Sequence, residues 1–139
     1  MIARSAIRQR IASALSSLTG YDEVRSLALP FRDPNERKHG AFSVEALAAS
    51  PISRQRSGES VLSSEFRVSF TWKVKPKAQI ASYDAALDAQ ELLVRTVLGM
   101  AQTGIAITLA SLASPSVDAA GEFIRLDITF SVQHVANLA

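Results

Sequence analysis

Apolar and polar positions alternate strictly from Phe66 to Val74. Phe66, Val68, Phe70, Trp72 and Val74 are separated by Arg67, Ser69, Thr71 and Lys73. A period of two predicts a strand with one dry face and one wet face. Pro76 lacks the N–H a ladder needs and is expected to stop the strand. From Tyr83 the period becomes helical, with Tyr83, Ala86, Leu87, Gln90, Val94, Val97 and Leu98 along one stripe. Ser82 has the chemistry of an N-cap, Asp84 falls in the first turn, and Gly99 stands where a left-handed C-terminal residue is usual.

The same reading extends along the rest of the chain. Ile7, Ile11, Leu15 and Leu18 share one helical face, which predicts a helix from Ile2 to Leu18, ended by Gly20. From Thr19 to Gly40 the pattern lapses into loop composition, with room for a short strand around Arg25–Leu29. Ala41–Ala48 reads as a strand closed by Ser50-Pro51, and the polar stretch Ser53–Ser60 as a hairpin tip leading into the long strand. Ile105, Ile107 and Leu109 mark another strand. Ile124, Leu126, Ile128, Phe130 and Val132 mark a last one, as regular as Phe66–Val74. The predicted fold is α+β: a single domain over residues 1–139, with a four-stranded, mostly antiparallel sheet, two helices on one face, and element order αββαββ.

Composition narrows this picture. No apolar run approaches the ~20 residues of a spanning helix, and no apolar segment follows Arg4, Arg8 and Arg10 as a secretory signal would require. The chain has no cysteine, so neither disulfides nor thiolate chemistry enter. Net charge is only +2, but residues 1–77 carry +6 and residues 78–139 carry −4. Such polarity fits a basic side docking on the acidic side of an identical neighbour, and equally fits two separately solvated halves.

Candidate chemistry is sparse. His39 and His134 are the only imidazoles; neither accompanies a nucleophile motif, and no short metal-ligand spacing exists. The six glycines are scattered singly, so no phosphate loop is present. No enzyme activity, cofactor, metal or small-molecule substrate is therefore expected. Trp72 and the phenylalanines share the only face on which a core can form and are read as core. The basic residues Arg32, Arg37, Lys38, Arg54, Arg56, Lys73, Lys75 and Lys77 fall on segments that must be exposed, as a solvated surface or one that meets phosphate.

An N-terminal helix, a strand, an arginine-bearing tip, the strand Phe-Arg-Val-Ser-Phe-Thr-Trp-Lys-Val, a helix from Ser-Tyr-Asp-Ala-Ala to Leu-Val-Arg-Thr-Val-Leu, and the closing strand Phe-Ile-Arg-Leu-Asp-Ile-Thr-Phe-Ser-Val-Gln-His follow one another in this chain. Together they resemble the tail terminator proteins of long-tailed bacteriophages and gene transfer agents. The resemblance implies a structural virion protein of the tail and neck, assembled in the host cytoplasm. Such a protein forms a hexameric ring, caps the tail tube protein, and meets the head–tail connector protein, while DNA passes through its lumen. Alternatives are a connector or other neck protein of the same particle, a sequence-tolerant nucleic-acid-binding module, and a small-ligand or enzymatic domain. Within the ring reading, Arg67, Lys73 and Lys75 are expected to meet Asp84, Asp88 and Glu91 of the next subunit. Arg54, Arg56, Arg32, Arg37 and Lys38 are expected at the lumen or the tube.

Overall fold

Two strands carry the architecture: β3 (Glu59–Lys73) and β6 (Phe123–Asn137) pair antiparallel from one end to the other without a register shift. Because the register is unbroken, their apolar rows coincide. Phe66 lies opposite Phe130, Val68 opposite Ile128 and Phe70 opposite Leu126, and all six are fully buried. Trp72, opposite Ile124, ends the row and is only half-buried. These features come from a computed structural model that describes residues 2–24, 38–54, 59–100, 104–118 and 120–137, with only the backbone of residues 53, 54, 59 and 137.

The expected four-stranded, mostly antiparallel sheet of order αββαββ is not what forms. Among the described residues the sheet has six strands and is mixed, in the order β1-β2-β3-β6-β4 with β5 also on β6. The two extra strands are β1 (Asp22–Glu23), parallel to the start of β2 (Ala41–Arg54), and β5 (Ser116–Val117), beside Ile124 and Arg125. Each is two residues long, too short to display a period, and is defined by the neighbour it bonds. β4 (Ile105–Leu112) completes the edge next to β6.

β2 also runs past Ser50-Pro51, where it was expected to close. Beyond Phe42 no described strand covers its outer edge, and an edge tolerates proline because the missing N–H faces away from the ladder. Register shifts at Ala46/Ala49 and Pro51/Ser53 absorb the irregularity.

Both helices lie on the phenylalanine face. α1 (Arg4–Ser16) packs on β2 and β1 through Ile7, Ile11 and Leu15, and α2 (Gln79–Leu98) lies over β6, β4 and β3. α2 starts earlier than the Tyr83 expected from the pattern. Ala78 is its N-cap and offers no side-chain bond, so Ser82 is not the cap and Asp84 is not in the first turn. The Ser82 hydroxyl instead accepts the Lys75 N–H at 3.0 Å and donates to the Ala78 carbonyl at 2.8 Å. The buried face is accordingly Ser82, Ala86, Ala89, Gln90, Leu93 and Val97, with Tyr83 exposed at its side. Gly99 has φ −68°, an ordinary helical value rather than the expected left-handed one.

Two local devices fasten the edges. His134, buried on the helix side, donates from Nδ1 to the Ile2 carbonyl at 2.9 Å and accepts the Ser64 hydroxyl on Nε2 at 2.8 Å. These partners fix its tautomer, and the Ile2 N–H continues the seam by donating to the Val135 carbonyl. At the other end Gly40, with φ +78°, lets the chain enter β2 against the Gly20 turn; a Cβ there would stand 1.9 Å from the Gly20 carbonyl oxygen. Gly20 itself has φ +91° but open space around it.

Gly20→Ala is therefore expected to lose only the about 1–2 kcal/mol of a left-handed alanine, while Gly40→Ala loses distinctly more. Urea denaturation of the two variants separates the terms, and equal losses would refute the steric role of Gly40. Phe130→Ala, in the centre of the row, should cost about 3–5 kcal/mol in the same assay.

Candidate functional site

The sequence turns sharply where β3 hands over to α2, and that corner is the most chemically featured part of the surface. The Thr71 hydroxyl donates to the Lys38 carbonyl at 2.5 Å, and the Gly40 N–H donates to the Thr71 carbonyl, which holds residues 38–40 against the end of β3. His39 thereby lies on Trp72, ring centroids 4.1 Å apart, and its Nδ1 accepts the Lys73 N–H at 3.1 Å. Tyr21 supports Trp72 from the core side, 6.4 Å between centroids. Between this aromatic wall and the first turns of α2 is a cleft of about 360 Å³, lined by His39, Trp72, Lys73, Lys75, Ala81 and Ala85, among others.

On the other flank of the same helical turns lies an apolar groove of about 330 Å³. It is formed by Val74, Ile80, Tyr83, Val117 and Ile124, with Gln79 and Gly121 at its rim. Ile80 is 80% exposed and Val117 56%, so the groove is open to solvent. The corner thus joins a basic, aromatic cleft to an apolar slot.

Lys73 and Lys75 form no ion pair with any described residue. The first turn of α2 holds no acidic side chain, so the positive end of the helix dipole adds to their field. His39 registers that field. Burial of its ring, and then the charges of Lys75 and Lys73, hold its pKa below the ordinary 6.5. His134 is also held below 6.5, mainly by burial and further by Arg4, against the opposing effect of its bond to the Ile2 carbonyl.

Asp84, Asp88 and Glu91 follow one another at helical spacing on the solvent side of α2, exposed and without ion-pair partners among the described residues. Lys73 and Lys75 are together in the cleft. Arg67 is elsewhere: six residues back along β3, about 20 Å at strand rise, it bonds Glu45 at 3.0 Å on the helix-free face. Lys38 sits 3.7 Å from Asp22. Arg54 closes β2 opposite Ser60, with its side chain outside the description. Arg32, Arg37, Arg56 and the short strand expected around Arg25–Leu29 lie outside the described residues.

The pattern of the sequence did not reveal the groove, although Ile80, ahead of the predicted helical stripe and followed three residues on by Tyr83, was its available signal. It also did not reveal the His39–Trp72 contact, which joins residues 33 positions apart. Among the described residues no group of histidines and carboxylates is arranged to hold a metal, and no helix is long and apolar enough to cross a membrane. No family model matches the chain, and no curated protein matches it.

With both native histidine pKa values below 6.5, the unfolded chain binds more protons just below that pH. The stabilisation is complete above 6.5 and is lost as pH falls from there through the native values. Urea midpoints should therefore drop as the pH falls below the ordinary histidine value of 6.5, and NMR titration of the two imidazoles should give midpoints below 6.5. A midpoint above 6.5 for His134 would contradict its buried, neutral role.

Proposed function

We propose that this protein is a structural ring subunit of the neck of a long-tailed phage-type particle. In that role it closes a hexamer over the tail tube, offers its other face to the head–tail connector, and lets DNA pass through the lumen. The observation that carries the reading is the presence, on one domain, of two opposite charge sets that have no ion-pair partner among the described residues. One is Lys73 and Lys75 at the α2 corner, and the other is Asp84, Asp88 and Glu91 on the α2 ridge. Two such sets on different surfaces favour a heterologous contact, and a heterologous contact that closes makes a ring. The order and texture of the strands, which resemble tail terminators, supply the choice of particle. Arg67 drops out of the contact, because its guanidinium is already engaged by Glu45.

Light scattering and negative-stain images of the purified protein across a salt series test the reading. Rings should weaken as salt rises, since exposed pairs are screened within about 10 Å at 0.1 M. Lys73→Glu with Lys75→Glu should abolish rings without unfolding the domain, as should Asp88→Lys with Glu91→Lys, because exposed charges contribute little to folding. Mixing the two variants should restore rings, since each basic set then faces an acidic one around an even-numbered circle. If the mixture stays monomeric while the parent chain forms rings, the assignment of these charges is refuted.

A further inference from the structure

The two imidazoles are bonded in opposite senses. His134 donates from Nδ1 to a carbonyl, and its Nε2 faces the Ser64 hydroxyl, which can turn from donor to acceptor. A second proton on that ring still finds an acceptor. His39 is different, because its Nδ1 accepts the Lys73 backbone N–H. An N–H cannot be turned round, and an imidazolium is a donor at both nitrogens. A protonated His39 would set hydrogen against hydrogen, so this bond lasts only while the ring is neutral.

The bond also has a structural place. The Gly40 N–H donates to the Thr71 carbonyl at 2.9 Å, and the Lys73 N–H lies two residues further along β3, past the end of β2. His39 Nδ1 supplies the acceptor that a longer β2 would have given. The backbone around it is pinned on both sides. The Lys38 carbonyl accepts the Thr71 hydroxyl and the Ala41 N–H, and Gly40 is held by Thr71. What can move is the side chain.

We propose that His39 is a proton-operated latch on the cleft beside Trp72. Neutral, the ring lies on Trp72 and is tied to Lys73. Protonated, it leaves both, uncovering that side of Trp72 and opening the mouth of the cleft. The latch belongs to the single subunit and goes beyond the ring reading.

The surroundings favour release over retention of the cation. The charges that act on the ring are those of Lys75 and Lys73, and both oppose a further positive charge. Lys38, next in sequence, turns its ammonium to Asp22, 3.7 Å away. Tyr21, behind Trp72, stays neutral because burial raises its phenol pKa. α2 contributes Ala78, Ala81, Ser82 and Ala85 to the cleft, none of them titratable. A cation over a tryptophan face is attractive in itself. Here, however, the ring planes are tilted by 59°, and the imidazolium would share the place with two ammonium groups and an opposed N–H.

Trp72 is the only tryptophan, so its fluorescence reports the latch. As pH falls from neutrality, within the range where far-UV circular dichroism stays native, acrylamide quenching of Trp72 should rise and the Lys73 amide resonance should shift. Both should follow the midpoint of the His39 ring protons and not that of His134. His39→Gln keeps an acceptor for the Lys73 N–H but does not titrate, and should hold quenching at its neutral-pH level throughout. His39→Ala should hold it at the acid level. Lys75→Gln and Lys73→Gln should each raise the His39 midpoint.

If quenching and the Lys73 amide stay flat while His39 titrates, the imidazolium remains on Trp72 and the latch is refuted. It is refuted equally if His39→Gln retains the acid rise in quenching, because Trp72 then answers to another group. The Asp88→Lys, Glu91→Lys chain, which the ring reading expects to stay in single subunits, should show the same transition, so each idea is judged apart from the other.

Discussion

The uninterrupted pairing of β3 with β6 is the constraint on which the remaining structure depends. In a pleated ladder a slip of one residue turns every side chain to the opposite face, so Phe66, Phe70 and Phe130 can share a core only if the register holds from Glu59 to Lys73. Once it holds, one face is continuous and apolar, and both helices have a surface to cover. The irregularities are displaced to the strands outside this pair. β2 carries two register shifts and a proline, and β4 carries a shift between Leu109 and Ser111. Irregularity at the edges also discourages pairing with strands of other chains.

The corner between β3 and α2 follows from that constraint. β3 keeps its register to Lys73, and the Val74 N–H still bonds the Glu122 carbonyl. Lys75 to Ala78 must then reverse the chain within a few residues to lay α2 back over the sheet, and the Ala78 N–H bonding the Lys75 carbonyl closes this turn. A tight reversal exposes its own side chains. That is why the two lysines, the first turn of α2 and the end of the aromatic row converge at one place, and why Trp72 is half-buried where Phe70 is fully buried.

Long elements were legible in the sequence because they repeat a period many times. Phe66–Trp72 and Ile124–Val132 lie within real strands with the expected faces, and Ile7, Ile11 and Leu15 are the buried side of α1. Short and boundary features were not. β1 and β5 consist of two residues each, and their existence depends on Ala41 and Arg125, which are far away or unrelated by pattern. Ser82 has the chemistry of a cap, yet the Pro76 turn starts the helix four residues earlier and turns its hydroxyl to the Ala78 carbonyl. Lys38, Lys73, Lys75 and Lys77 lie exposed, but the sequence could not separate the half-buried Arg67 from Lys73. Their difference lies in Glu45, which comes from another strand.

The seam between Ile2 and β6 has a consequence for how the molecule connects to anything covalently joined to it. His134 and Val135 hold Ile2 at the same extremity of the sheet that Asn137 reaches, while the cleft and groove occupy the extremity where β3 and β6 finish at Lys73 and Phe123. The intervening strand length is about 45–50 Å at 3.3 Å per residue. A polypeptide continued ahead of Ile2 or past Asn137 would therefore leave from the pole remote from the α2 corner. A label or tether fused at either position would hang clear of that corner, and a short peptide joining the two positions would close the chain into a circle without crossing it.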